Sequence, residues 1–298
     1  MSWRDNNKHL RILRDAEENG YGVIAAIAYN LEQILGFVKA AEQAQSPFII
    51  QFFPWAITFS DGLIVRAAAD AVSRAKVPIS IHLDHCQSPD LVKLAADMGT
   101  FDSIMVDMSH YEKEENISRT RELVAYCNER NVATEAEPGR IDGGEDGVAD
   151  LGELQSVFTT AEEIEDFVAT GVDALAPCFG NAHGEYGPQG PNLDFERLDA
   201  IRTASNARVR LVLHGTNGFE PDLMKKCIAA GVSKINVNRV VLDNYNSHLK
   251  KNAPHLPQTT LMEQGVQEVI KQTVEWMEIC GSAGRAKALA KQPLQNGV

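Results

Sequence analysis

Three of the chain's eight histidines, His85, His183 and His214, each stand just past a short apolar run, and that repetition is the strongest chemical signal in the sequence. Three imidazoles with a fourth position left open form a catalytic zinc site. Taken singly, each histidine could do no more than cap the end of a strand. Acids and amides at equivalent positions argue for a shared centre. Asp84 sits beside His85, so that one side chain can ligate while its neighbour reaches a substrate; Glu137 ends another run, and Asn30, Ser109 and Asn236 stand at the ends of three more. His82 falls inside its run, and packing or hydrogen bonding is expected of it rather than ligation. Cys86 and Cys178 lie close to the same ends and are expected to be buried, inert thiols.

Only a particular scaffold brings such scattered positions together. The apolar runs are Gly22–Tyr29, Pro47–Phe53, Pro78–Asp84, Ser103–Met108, Val132–Pro138, Ala174–Phe179, Val209–Gly215 and Lys234–Asn238. Segments with apolar residues at three-to-four spacing separate them: Leu31–Gln45, Asp61–Lys76, Asp90–Met98, Asn116–Arg130, Ala161–Thr170, Asp194–Thr203, Pro221–Ala230 and Val240–Lys250. Strands buried on both faces, alternating with helices, predict an α/β protein, a single (β/α)8 TIM barrel whose strand ends carry the active groups on one rim of an otherwise apolar barrel. A doubly wound open sheet is the alternative, weakened by Ala28-Tyr29-Asn30-Leu31 where a glycine-rich dinucleotide turn would stand. One domain is expected over residues 1–298, with the barrel at about 20–250 and a C-terminal helical extension at about 258–285 that packs on a neighbour. Gly139–Gly152, rich in glycine and acids, reads as a mobile loop.

Composition narrows the function classes. At 298 residues, 44% hydrophobic and 23% charged, the chain can bury a large core. A formal charge of -13 disfavours nucleic acid and anionic membrane surfaces as partners. Charged residues stud the first 18 positions, so no signal peptide is expected, and no apolar run reaches the roughly 18 residues of a membrane span. The five cysteines form no C-x-x-C pair or paired framework, which fits a reducing, cytoplasmic compartment.

Six stretches then resemble, in order, the class II (zinc-dependent) fructose-bisphosphate and tagatose-bisphosphate aldolases: His82-Leu83-Asp84-His85; Ser103 to His110; Glu135-Ala136-Glu137 with Gly143-Gly144-Glu145-Asp146-Gly147; Asn181 to Gly187; Leu211 to Gly215; and Gly231 to Val237. The tail Gly281-Ser282-Ala283-Gly284 is similar as well. The resemblance implies that His85, His183 and His214 hold Zn2+ and that Asp84 exchanges a proton with the acceptor aldehyde's oxygen. It implies that Glu145 moves a proton at the carbon next to the ketone, that Glu137 offers zinc an alternative position, and that Asn236 contacts the enediolate. A monovalent cation (Na+ or K+) near Gly184 and a homodimer or homotetramer are further implications. The expected activity is reversible aldol cleavage of a ketose (bis)phosphate such as fructose 1,6-bisphosphate, with a ketose or aldehyde as small-molecule partner.

The pattern departs from the family where phosphate would be held. A serine after the metal histidine is replaced in His214-Gly215-Thr216-Asn217-Gly218, a serine after the second strand in Gln51-Phe52-Phe53-Pro54-Trp55, and the run after the last strand reads Asn236-Val237-Asn238-Arg239. Asn30, Gly184, Gly215, Asn217, Asn236, Asn238, Arg239 and Ser109 are the candidate substrate-binding positions. Either Arg239 and nearby backbone amides grip a phosphate in a new way, or the aromatics line a site for a non-phosphorylated or carboxylated ketone. A zinc-dependent sugar isomerase or epimerase, and a non-catalytic binding barrel, remain the rival classes.

Overall fold

The computed structural model describes residues 2–144 and 156–290. Eight parallel strands close on themselves in chain order: β1 Val23–Ile27, β2 Phe48–Phe52, β3 Ile79–Cys86, β4 Ser103–Val106, β5 Ala133–Ala136, β6 Ala174–Leu175, β7 Arg210–Leu213 and β8 Val232–Val237. The expected (β/α)8 barrel is therefore the fold, with all eight anticipated strands present. β6 is much shorter than its apolar run. Side chains claim the backbone N–H groups beyond it: Cys178 donates to Thr159 Oγ1 and Phe179 to Asn181 Oδ1, so the chain leaves the ladder while staying buried.

Alternation along the strands assigns the two layers of the core. Ile24, Ala26, Ile50, Ile81, Leu83, Ile104 and Val106 face the helices and form the main apolar shell. The opposite face is not apolar as expected from sequence. Ser80, His82, Ser103, Glu135 and Lys234 lie buried inside the barrel beside small residues such as Ala25 and Ala174. Those small neighbours leave room for a polar column, and pairing makes the charges tolerable.

Two helices outside the anticipated set shape the molecule. Lys8–Asn19, capped by Asn7, buries Leu10, Ile12, Leu13 and Ala16 and packs Ile12, Leu13 and Ala16 with Val23, Ala25 and Ile49 on the barrel floor. Pro54–Ser60 has proline at its first position, where the missing N–H costs nothing. The long terminal helix, Gln258–Ile279, packs on helices Leu31–Ala44 and Arg239–Asn252 of its own barrel. Gly36 permits that approach, since a Cβ there would stand 2.6 Å from Val269 Cγ1. The buried face of this helix is thus covered within its own chain. Among the described residues, no helix is long and apolar enough to cross a membrane.

Candidate active site

The rim above the polar column gathers residues from six of the strands. At β3, strand alternation alone would send Asp84 and His85 to opposite faces. A register shift between Leu83 and Cys86, with His85 at φ 47°, turns both toward the barrel mouth. His183 follows β6 on a loop fixed by its own N–H to Asp142 O at 2.7 Å, and His214 directly follows β7. Gly215 must be glycine: its φ is +69° and a Cβ would stand 2.1 Å from Ala182 O.

The three imidazoles meet edge to face. His214 Nδ1 is 3.0 Å from His85 Nε2 and 3.4 Å from His183 Nε2. Carboxylates assign the protons on the far sides of two rings. His85 Nδ1 lies 2.9 Å from Asp107 Oδ2, and His214 Nε2 lies 2.9 Å from Glu135 Oε1, so each of those nitrogens donates and the opposite one turns a lone pair inward. Asp107 is itself held by the Ser109 N–H and hydroxyl, and Glu135 by Lys234 Nζ at 2.9 Å.

That donor set fits a soft-to-borderline divalent cation such as zinc. Converging lone pairs repel unless something positive stands between them. Burial disfavours a charged His85, yet the Asp84 and Asp107 carboxylates outweigh it and raise its pKa to about 10. Burial, with His85 and His214 nearby, holds His183 well below the ordinary histidine value, and burial also lowers His214. His85, Asp107 and Glu137 form a second group with metal-ligand spacing. Burial, then the Asp107 charge, pushes Glu137 up to about 8; its Oε1 accepts from the Ile141 N–H while its buried Oε2 has no hydrogen-bond partner among the described residues.

Asp84 lies beside the imidazoles but is bound to other groups. Its two oxygens accept from Asn236 Nδ2 at 3.0 and 2.9 Å, and Oδ2 also accepts from Gln51 Nε2 at 3.1 Å. Burial opposes its ionisation, but His85, His82 and Lys234 hold the carboxyl well below the usual range. Lys234 Nζ donates to Asn236 Oδ1 at 2.8 Å, which orients the amide. His82 does what its place in the strand suggested, bonding Ser103 Oγ through Nδ1 at 3.0 Å.

Two connected hollows adjoin this centre. The inner one, about 20 Å3, is ion-sized and is lined by Gln51, Phe53, Asp84, His85, His183 and Asn236 among others. The outer cleft, about 660 Å3, opens to solvent and shares Asn217 and Asn238 with it. Of the substrate-binding candidates, Gly215 and Asn236 line the inner hollow, Asn217 and Asn238 both, and Asn30, Gly184 and Arg239 the outer cleft. Asn30 also caps helix Leu31–Ala44, accepting from the Gln33 N–H. Ser109 lines neither, because its hydroxyl serves Asp107. Arg239 is half exposed and ion-paired with Glu185 and Asp243. Glu145 lies outside the described residues.

Sequence reasoning gave no role to Asp107, Glu135, Lys234 or Gln51. The period-two alternation contained the signal for Glu135, two positions before Glu137 on the same inward face. Nothing in spacing alone pairs Asp107 with His85 or Lys234 with Glu135.

Comparison with known proteins comes to the same place. Residues 7–285 match the family described as fructose-bisphosphate aldolase class-II. A Coccidioides immitis (strain RS) protein provisionally named a fructose-bisphosphate aldolase is 50% identical over 289 residues, 95% of this chain and 96% of that one. The 6-phospho-5-dehydro-2-deoxy-D-gluconate aldolase of Bacillus licheniformis is 33% identical over 296 residues, 94% and 96% of the two chains. A crystal structure of the provisionally named Coccidioides immitis fructose-1,6-bisphosphate aldolase superposes with a TM-score of 0.93 at 51% identity, covering 95% of this chain and 99% of that one. The YdjI aldolase of Escherichia coli K12 gives 0.78 at 28% identity, covering 92% and 97%.

Proposed function

The chain belongs to the class II fructose-bisphosphate aldolase family, and from that premise we propose that it is a zinc-dependent aldolase that reversibly cleaves a phosphorylated ketose into a ketone and an aldehyde. The observation that carries this reading is the convergence of His85 Nε2, His183 Nε2 and His214 Nδ1 within 3.4 Å steps, beside a buried Asp84 held by Asn236 and Gln51. When bound, zinc supplies Lewis acidity to a carbonyl and lowers the cost of negative charge on the carbon beside it.

The chain's own groups supply the rest. In the cleavage direction, an Asp84 oxygen takes the hydroxyl proton as that oxygen becomes the aldehyde carbonyl, while the carbon–carbon electron pair stays with the ketone fragment. A proton must then reach the carbon that has lost its partner, and Glu145 is proposed to deliver it. Condensation reverses both transfers. Asn236, held by Lys234, keeps Asp84 aimed and presents an amide to the substrate. Asp107 and Glu135 fix the tautomers of His85 and His214, and Glu137 offers the metal a second position.

The test is a panel of ketose 1-phosphates, ketose 1,6-bisphosphates and their unphosphorylated or carboxylated analogues, incubated with and without EDTA while aldehyde and ketone products are detected. EDTA-sensitive release of both fragments is expected from phosphorylated members. Interconversion of ketoses with no aldehyde formed would replace the aldolase reading with an isomerase or epimerase.

A further inference from the structure

The two sides of the outer cleft differ. Above β7 and β8 stand Asn217, Asn238 and Arg239, with Tyr245 and Leu249 beside them. Above β1 and β2 a ladder of rings runs outward from the metal-binding centre, Phe53 lining the inner hollow and Tyr29 and Trp55 the cleft, where Asn30 and Gln33 join them. Phe53 lies 6.3 Å from His85, Tyr29 6.3 Å from Phe53, Trp55 6.2 Å from Tyr29, and Phe59 stacks on Trp55 at 4.7 Å and 10°. Phe59 is 69% exposed, so the ladder reaches the surface.

Charge is as uneven as polarity. Arg239 is the one Lys or Arg among the described residues lining either hollow, and Glu185 and Asp243 already offset it. A second phosphate would find no further cation among the described residues that line the hollows, and burying it unpaired is costly. The ring wall, by contrast, rewards apolar surface.

Asp84 is held from both sides, by Asn236 of β8 and Gln51 of β2, so the walls set the direction of the substrate: the anionic end goes to Arg239, the one cation among those described residues, and the aldehyde end faces the rings. We propose that this cleft takes a substrate with a single anionic group, held by the Asn217–Arg239 wall, and an uncharged, largely apolar acceptor end laid against Tyr29, Phe53 and Trp55. The inference rests on the aldol reading above and narrows it: a ketose monophosphate with an apolar tail is preferred over a bisphosphate. The large cleft accommodates such a tail beyond the reacting carbons.

The experiment is calorimetric titration of the zinc-loaded full chain with uncleavable alditol 1-phosphates, in which the ketone is reduced to an alcohol. One probe ends in a phenyl group, one in a hydroxyl and one in a second phosphate. The phenyl probe should bind about tenfold or more tightly than the bisphosphate. Trp55→Ala should weaken the phenyl probe roughly tenfold more than the hydroxyl probe, with an unchanged circular dichroism spectrum reporting an intact fold, and Trp55→Phe should restore most of the loss. A bisphosphate that binds as tightly as the phenyl probe, or a Trp55→Ala variant with unaltered preference, overturns the proposal. Cleavage of the corresponding ketoses, followed in parallel, separates the two claims. Bisphosphate preference with cleavage sinks the inference alone; phenyl preference without cleavage sinks the aldol reading and keeps the assignment of the walls.

Discussion

Lys234 and Glu135 form an ion pair with no solvent exposure on either side chain, Nζ to Oε2 at 2.9 Å, directly beneath the imidazoles. The same carboxylate bonds His214 through its other oxygen, and the same ammonium bonds Asn236, the amide that holds Asp84. One buried pair therefore orients a candidate metal ligand and a candidate catalytic acid together.

Lys234→Met leaves Glu135 charged and unpaired in the barrel, and unfolding free energy should fall by about 3–5 kcal/mol. The double variant Lys234→Met/Glu135→Leu should recover most of that stability in urea titrations. It should not recover zinc affinity, because His214 Nε2 has lost its acceptor. Equal recovery of both would mean the pair acts only on folding.

Asp107→Asn keeps the shape of the side chain but can present an N–H to His85 Nδ1, which forces the ring proton onto Nε2, the nitrogen turned toward the other imidazoles. Chelator competition should show zinc affinity reduced by about 10- to 100-fold, with an unchanged circular dichroism spectrum. Unaltered affinity would remove Asp107 from the account.

The (β/α)8 architecture was legible because eight short runs rich in apolar and β-branched residues alternate with helical stripes, and the rim was legible because His85, His183 and His214 stand at equivalent points just past those runs. The interior was not. Lys234 and Glu135 sit 99 positions apart, and only barrel closure brings them together. The turn that aims Asp84 and His85 the same way depends on a positive φ at His85, which histidine does not advertise. Helix Lys8–Asn19 is obscured in the sequence because charged residues interleave with the 10, 12–13, 16 spacing of its buried face.

Asp84→Asn should retain one zinc per chain by mass spectrometry while turnover falls by about 10²- to 10⁴-fold. His214→Ala should lose zinc and turnover together. An Asp84→Asn enzyme with normal turnover would refute the assignment of the proton-transfer group.

His9 is buried against His82, ring centroids 5.4 Å apart, and burial, His82 and Lys234 hold its pKa well below the ordinary 6.5. The folded state keeps His9 neutral while the unfolded chain binds a proton below 6.5, so its contribution is intact above that pH and stability falls as pH drops through it. At pH 5.5 the loss from this group is on the order of 1 kcal/mol. Thermal or urea unfolding at pH 7.5 and 5.5 should show a smaller pH difference in His9→Gln than in the wild type; an identical difference would exclude His9 as the source.

Burial pushes the thiols of Cys86, Cys127, Cys227 and Cys280 up to about 12 and that of Cys178 to about 11. At pH 8 the native protein should therefore react with a thiol-disulfide reagent at none of its five cysteines on the minute timescale, and at all five in denaturant. Rapid labelling of Cys86 or Cys178 in the native state would show a thiol open to the metal-binding centre.

The central claim, metal-dependent aldol cleavage at the three-histidine centre, is tested most directly by stripping the metal with a chelator, removing the chelator, and titrating Zn2+ back while aldehyde release from a ketose 1-phosphate is followed. Release should be near zero in the stripped protein, rise linearly with added zinc and stop rising at one zinc per chain. Release at full rate before any zinc is added, or none at saturation, would contradict it.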